Sequence, residues 1–538
     1  MSLLLICTGA CKTSRQEISL RYPLSPSTET DADFLLPKDS SVVFSVSTQT
    51  GFRLMKCRDS SCKVADSSGR DSFHPFQFKK RTACLQDMDG NEDFQPTDTV
   101  LSRLLNYKAI EKVYSFKNGD LLIVKCKDEN NLYLIACPEK SNREEVRILC
   151  TINETLNGVV YDKKRRKIIV SHDNVFEEVY IDDFRKRQFD GTLSGEKLNL
   201  SLFENDIYFV SDAHSDFSYI YRLNHTDGKK AVELVLCENH DLRMPKVYGH
   251  TLYYIEVVDN NYLLKSVGLR DHVKKEITST GVVYNYDFSY DHQLIYSYSD
   301  LNTPRTIRIH RDNGMPDGDI LHRDPIADSI TYRLLKRDSL SSKAYYLHAG
   351  NQGIAKGIIL FIHPGLHSDF SPRWDAFIHN LCLTGYDVLA PNYPMSAGFG
   401  KAFSSRAFSD AVDDLTSWTS WLSATYHVPI YYLSYSSGNL LMEAVLLHAD
   451  KAVYAAASLF GIPGIGIDHA RISTPTLYIL GKNDPYIDYR QRMEELDHAR
   501  LHSPLFIKSL EGEGHWIRRF DNMKTGLEMT LQLFEKNR

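Results

Sequence analysis

The stretch Tyr431-Tyr432-Leu433-Ser434-Tyr435-Ser436-Ser437-Gly438 reads as a buried strand running into a turn of small residues. An apolar helix follows at once, through Leu440, Leu441, Met442, Ala444, Val445 and Leu446. A serine at the apex of such a strand, tight turn and helix is held where bulky neighbours would collide with the chain on either side. That arrangement presents a hydroxyl as a nucleophile. The spacing is Ser434-x-Ser436-x-Gly438, so a serine stands where the first glycine of G-x-S-x-G is expected.

Two downstream segments supply partners for Ser436. Thr476-Leu477-Tyr478-Ile479-Leu480 reads as a buried strand and leads into Gly481-Lys482-Asn483-Asp484. Leu505-Phe506-Ile507 is a later strand, followed by Glu511-Gly512-Glu513-Gly514-His515-Trp516. The order Ser436, Asp484, His515, with acid and base each just past a strand end, is the order of the α/β-hydrolase triad. The intervals leave room for the intervening βα units. Upstream, the apolar run Gly357 to Ile362 predicts a central parallel strand ending in His363-Pro364-Gly365. Pro364 has no N–H, so Gly365 and the backbone N–H of Ser437 are the expected oxyanion donors.

The N-terminal part has a different rhythm. Short strands flanked by polar turns recur at Val42–Phe44, Leu121–Val124, Ile168–Val170, Ile207–Val210, Leu252–Tyr254 and Leu294–Tyr296. Their spacing of roughly 40 to 47 residues, with one doubled gap leaving room for a unit near 75 to 115, is a β-propeller period. Seven blades fit between residues 40 and 325. The chain thus divides into a segment 1–34, a propeller over 35–325 and an α/β-hydrolase domain over 326–538.

Composition narrows the function classes. The chain has 538 residues, 42% hydrophobic and 25% charged, with a net charge of −6. That negative balance argues against nucleic acid as a partner. The ten cysteines form no zinc-type pair of pairs, so neither a metal site nor a cofactor is expected. Cys57 and Cys62 are close enough to pair. The start, Met1 to Cys11, resembles the end of a bacterial lipoprotein signal, with small residues before Cys11 and a polar linker after it, but without a basic n-region. A lipid anchor at Cys11 and a periplasmic or cell-envelope location are expected on that basis, with a cytoplasmic location as the alternative.

Propeller followed by hydrolase resembles the prolyl oligopeptidase family of serine peptidases, nearest to its acylaminoacyl-peptidase and dipeptidyl-peptidase branches. His363-Pro364-Gly365 is similar to the family's HGGP, and Pro391-Asn392-Tyr393-Pro394-Met395-Ser396-Ala397-Gly398-Phe399-Gly400 to PNYRGSTGYG. Gly481-x-x-Asp484 with Gln491 resembles GxxDxxVPxxQ, and Gly514-His515 closes the set. The resemblance implies a serine peptidase cleaving short peptides through an acyl-enzyme. Ser436, Asp484 and His515 would be catalytic, and His363 and Tyr486 substrate-binding. Three departures bear on specificity. Pro394 replaces the arginine of NYRG, Tyr486 replaces a backbone-anchoring arginine, and the segment between Ser458 and Ile472 is short. A carboxylesterase or thioesterase acting on a small ester, or a non-catalytic propeller binding protein, are the alternatives.

Overall fold

The computed structural model describes residues 30–538 apart from short connecting segments, the longest at 137–144 and 321–328. Cys11 and the proposed domain boundary at 325/326 lie outside the described residues. The first strand, Thr30–Leu35, already pairs with Val42–Thr48, so sheet structure begins ahead of residue 35.

The C-terminal sheet is eight-stranded and mostly parallel. Its spatial order is Ile330–Lys336, Lys343–Ala349, Asp387–Asn392, Ile358–Ile362, Ile430–Tyr435, Val453–Leu459, Thr476–Gly481 and Leu505–Leu510. The first two strands are antiparallel to their neighbours and the remaining pairs are parallel. Every residue of Ile358–Ile362, Ile430–Tyr435 and Thr476–Gly481 is buried, as expected of strands covered on both faces. Because side chains alternate across a strand, Tyr431 and Leu433 enter one core with helices Ala376–Leu383 and Phe520–Lys536. Ile430 and Tyr432 enter the other, with Leu415, Trp418 and Leu422 of Phe408–Thr425 and Leu441, Met442 and Val445 of Gly438–Leu446. Truncating a fully buried leucine such as Leu433 in either core costs about 2–5 kcal/mol.

Among the described residues the N-terminal region is all-β apart from one short helix, Thr99–Leu104, with four four-stranded sheets, one three-stranded sheet and one eight-stranded sheet. The eight-stranded sheet is two antiparallel groups joined by a single parallel pairing, Tyr262 with Val282. Apolar side chains between successive sheets form separate clusters: Phe78 with Leu122, Ile123 with Val170, Ile169 with Phe209, Val210 with Leu252, and Ile255 with Val283. The last group returns to the first, where Ile295 and Ile307 pack with Val42 and Phe44. The interval near 75 to 115 holds a three-stranded sheet, Asp71–Phe78, Arg81–Asp87 and Phe94–Pro96, followed by the helix. Cys57 and Cys62 form a disulfide across a strand pair of the first sheet.

Polar contacts seat this region on the loops at the C-terminal ends of the parallel strands. Asn260 Nδ2 donates to Asp369 Oδ2 at 2.8 Å, and Asn392 Nδ2 donates to Asn260 Oδ1 at 3.1 Å. Tyr262 Oη donates to Asp369 Oδ1 at 3.0 Å, and Trp374 N to Ser299 Oγ at 3.0 Å. Arg518 pairs with Asp87. The strand ends that carry Ser436, Asp484 and His515 therefore face the β region.

Candidate active site

Ser436 terminates strand Ile430–Tyr435 with φ +49°, a left-handed backbone conformation that is costly for a residue with a Cβ. The turn is held in place: Ser436 N donates to Leu459 O at 3.1 Å, and Ser436 O accepts from Ile462 N at 3.0 Å. Helix Gly438–Leu446 starts two residues later, and glycine is required there. A Cβ on Gly438 would lie 2.5 Å from the Ile362 carbonyl oxygen. Ser434, in place of the first glycine, is fully buried between Ile362 and Ser458 on the flanking strands.

The three residues expected to form a triad come together. Ser436 Oγ lies 2.7 Å from His515 Nε2, and His515 Nδ1 lies 2.9 Å from Asp484 Oδ2. The other oxygen of Asp484 accepts from Tyr486 N at 2.9 Å. All three side chains are buried, Ser436 being 7% exposed. The acid and base loops are tied to each other, with Asn483 N donating to Glu513 O at 3.0 Å. This close approach needs glycine at 481, because a Cβ there would meet Gly514 O at 2.0 Å. Glu513 braces the histidine loop by accepting from Arg518 N, Arg519 N and Asn522 Nδ2 at 2.8–3.0 Å.

Ser437 opens the helix, where backbone N–H groups have no intrahelical acceptor. The Gly365 N–H donates to the Ser437 hydroxyl at 2.7 Å. The two expected oxyanion donors are thus neighbours, and one of them is engaged by a side chain of the other.

His363 does not line the substrate surface. It is 1% exposed and stacks on Tyr393 with ring centroids 4.2 Å apart. Its Nε2 contacts Ser396 Oγ at 2.9 Å and its Nδ1 lies 3.1 Å from Pro364 O. Burial lowers its pKa to about 4. The ring packs beneath the loop through these contacts, and burial disfavours its charged form. Tyr486 is where a substrate contact was expected: it is 64% exposed, with its ring edge-on to His515 at 4.8 Å.

Other neighbours went unread in the sequence. Phe460 and Trp516 flank His515 at 5.5 and 5.4 Å. Behind the elbow helix, Glu443 is fully buried. Its Oε1 accepts from Arg492 Nη2 at 2.7 Å and Tyr478 Oη at 3.1 Å and lies 2.9 Å from His469 Nε2. Its Oε2 accepts from Gly464 N at 2.9 Å. Burial alone would raise the Glu443 pKa. The His469 hydrogen bond and the Arg492 charge outweigh it and bring the carboxyl down to about 2. This cluster anchors the short segment after Ser458. The only sequence signal for it was a glutamate in an otherwise apolar helix.

No family model matches the sequence. Solved structures resemble it over almost its entire length. A Mycobacterium tuberculosis puromycin-hydrolyzing peptidase is similar at TM-score 0.79 and 13% identity, covering 97% of this chain and 96% of that one. The acylaminoacyl peptidase of Pyrococcus horikoshii is similar at TM-score 0.69 and 13% identity, covering 95% and 96%. Oligopeptidase B from Leishmania major is similar at TM-score 0.71 and 10% identity, covering 95% and 86%. An all-β region of successively packed sheets set on the strand-end loops of an α/β sheet is therefore the fold of the prolyl oligopeptidase family, and it is the fold of this chain.

Proposed function

We propose that this chain is a serine peptidase of the prolyl oligopeptidase type, acting on short peptides through an acyl-enzyme. The observation that carries the reading is the unbroken hydrogen-bonded path from Asp484 through His515 to the hydroxyl of Ser436. Ser436 Oγ attacks the scissile carbonyl carbon while its proton passes to His515 Nε2. Asp484 holds the Nδ1–H and so fixes the tautomer that can accept that proton. The carbonyl oxygen becomes an oxyanion, received by the Ser437 N–H and by the Gly365 N–H once the latter leaves the Ser437 hydroxyl. His515 then protonates the departing amine, and water repeats the cycle on the acyl-enzyme. The side chains supply every proton transfer.

In this reading the N-terminal sheets form a seven-bladed propeller, with the eight-stranded sheet counted as two blades, over residues 35–325. It covers the site of the hydrolase domain, 326–538, and admits short or unstructured chains. The peptidase names of the similar structures support a peptide substrate. Tyr486 in place of an arginine, and the short segment after Ser458, favour a second reading in which the same triad cleaves a small ester. The Cys57–Cys62 disulfide supports the oxidising cell envelope as the location, where Cys11 would carry the lipid anchor.

The test is labelling by a fluorophosphonate probe, followed by hydrolysis of matched peptide and ester libraries. Labelling of the native chain that is lost in Ser436→Ala, with turnover of peptides, is expected. Turnover of esters alone selects the second reading. Absence of labelling in the folded native chain overturns both and leaves a binding protein.

A further inference from the structure

Away from the triad, three chemically reactive side chains converge between two neighbouring sheets of the β region. Cys150 lies on strand Glu145–Thr151 of one sheet. His172 ends strand Lys167–His172 and Glu177 lies on Val175–Tyr180, both in the next sheet. They are 1%, 4% and 5% exposed, and one donor atom of each lies within 4.8 Å of the other two. Among the described residues this is the one such group.

The imidazole is oriented but incompletely satisfied. Its Nδ1 lies 3.2 Å from Asp173 Oδ2. Its Nε2 is buried, aims into the cluster and has no hydrogen-bond partner. Glu177 Oε2 is 3.4 Å from that nitrogen without making a hydrogen bond. A buried ring nitrogen that meets a carboxylate only as a long ion pair, without hydrogen-bond geometry, is costly. The 3.4 Å separation has a simple geometric meaning. Two ligands about 2.0–2.1 Å from a tetrahedral zinc ion are separated by about 3.3 Å. The carboxylate on the far ring nitrogen supplies the outer hydrogen bond that zinc-bound histidines usually have.

We propose that Cys150, His172 and Glu177 form a zinc(II) site that fastens the two sheets together. A thiolate, an imidazole nitrogen and a carboxylate oxygen are the mixed donor set that zinc accepts, with water completing the tetrahedron. On binding, the Cys150 S–H bond breaks, the sulfur keeps the electron pair for the metal, and the proton leaves to solvent. Because binding releases that proton, affinity should fall as the solution is acidified. Cysteine spacing gave no hint of this site because its ligands come from three strands and two sheets.

The test uses the full chain after chelator treatment, titrated with cobalt(II) as a zinc substitute. A thiolate-to-cobalt charge-transfer band is expected at one equivalent. It should be abolished by excess zinc, and lost in Cys150→Ser and in the volume-conserving His172→Gln. Zinc should raise the Tm of the native chain by several degrees and that of His172→Gln by none. Serine-hydrolase labelling should be the same with and without zinc, which separates this test from the proposed activity. Absence of both the band and the Tm shift in the native chain overturns the site. So does a band that survives Cys150→Ser but disappears when the exposed Cys237 is replaced by serine.

Discussion

The backbone N–H of Gly365 and the hydroxyl of Ser437 are joined by a 2.7 Å hydrogen bond that links the turn after Ile362 to the start of the elbow helix. In the proposed mechanism that N–H must change acceptor when the oxyanion forms. A neutral hydrogen bond of this kind contributes about 0.5–1.5 kcal/mol. Removing the competing acceptor in Ser437→Ala should therefore raise kcat by about 2- to 10-fold. A fall in kcat would mean that the hydroxyl itself donates to the oxyanion.

Asp484→Asn should preserve the fold, since the side chain keeps its size and can still accept from Tyr486 N. The amide favours the His515 tautomer that cannot take the Ser436 proton, so kcat should drop by roughly four orders of magnitude. Steady-state hydrolysis with an active-site titrant checks this. A loss of less than tenfold would remove Asp484 from the triad.

Tyr486 leaves an exposed ring at the edge of His515 where a guanidinium would reach a peptide carbonyl. A charge-assisted hydrogen bond there contributes about 1.5–3 kcal/mol. Tyr486→Arg should improve kcat/KM for peptides by roughly 10- to 100-fold and leave small esters nearly unchanged. Equal gains on both substrate classes would break the link between this position and the peptide backbone.

His363 is neutral in the folded chain, with its pKa lowered from 6.5 to about 4 by burial. The unfolded chain takes up this proton first, so the contribution to stability is fully present above pH 6.5. It is lost as the pH falls from there to about 4, and amounts to on the order of 3 kcal/mol across that window. Urea midpoints of the native chain should fall over this range more steeply than those of His363→Gln. Parallel pH profiles for the two would contradict the assignment.

Glu443→Gln removes the close, buried anionic partner of Arg492 and leaves only the half-exposed Glu495 at 3.5 Å, so it should destabilise the hydrolase domain by about 3 kcal/mol. Chemical denaturation measures it directly. A loss below 1 kcal/mol would show that His469 and Tyr478 hold the segment without the charge.

The fold class and the three residues of the candidate triad were legible because each rests on local chemistry. The run Tyr431–Tyr435 and the small residues after it determine a buried strand and a tight turn, whatever packs around them. Asp484 and His515 were identifiable because each follows an apolar strand, and chain order carries over into position along a parallel sheet. The β period was visible wherever a strand repeats as Ile168–Val170 or Ile207–Val210 do, and was lost near residues 75 to 115. There the third strand is only Phe94–Pro96, and a helix capped by Asp98 follows it. Tertiary structure alone decided what depends on approach from distant segments. His363 sits in a motif that reads as substrate-facing, but Tyr393 and Ser396, some thirty residues on, cover its ring. The Gly365–Ser437 bond and the Glu443–His469–Arg492 cluster join residues from 23 to 72 positions apart. The convergence of Cys150, His172 and Glu177 likewise exists only once two sheets are packed together. Periodicity and turn chemistry act within a few residues, whereas burial, hydrogen-bond completion and ligand geometry are settled by whatever the rest of the chain brings alongside.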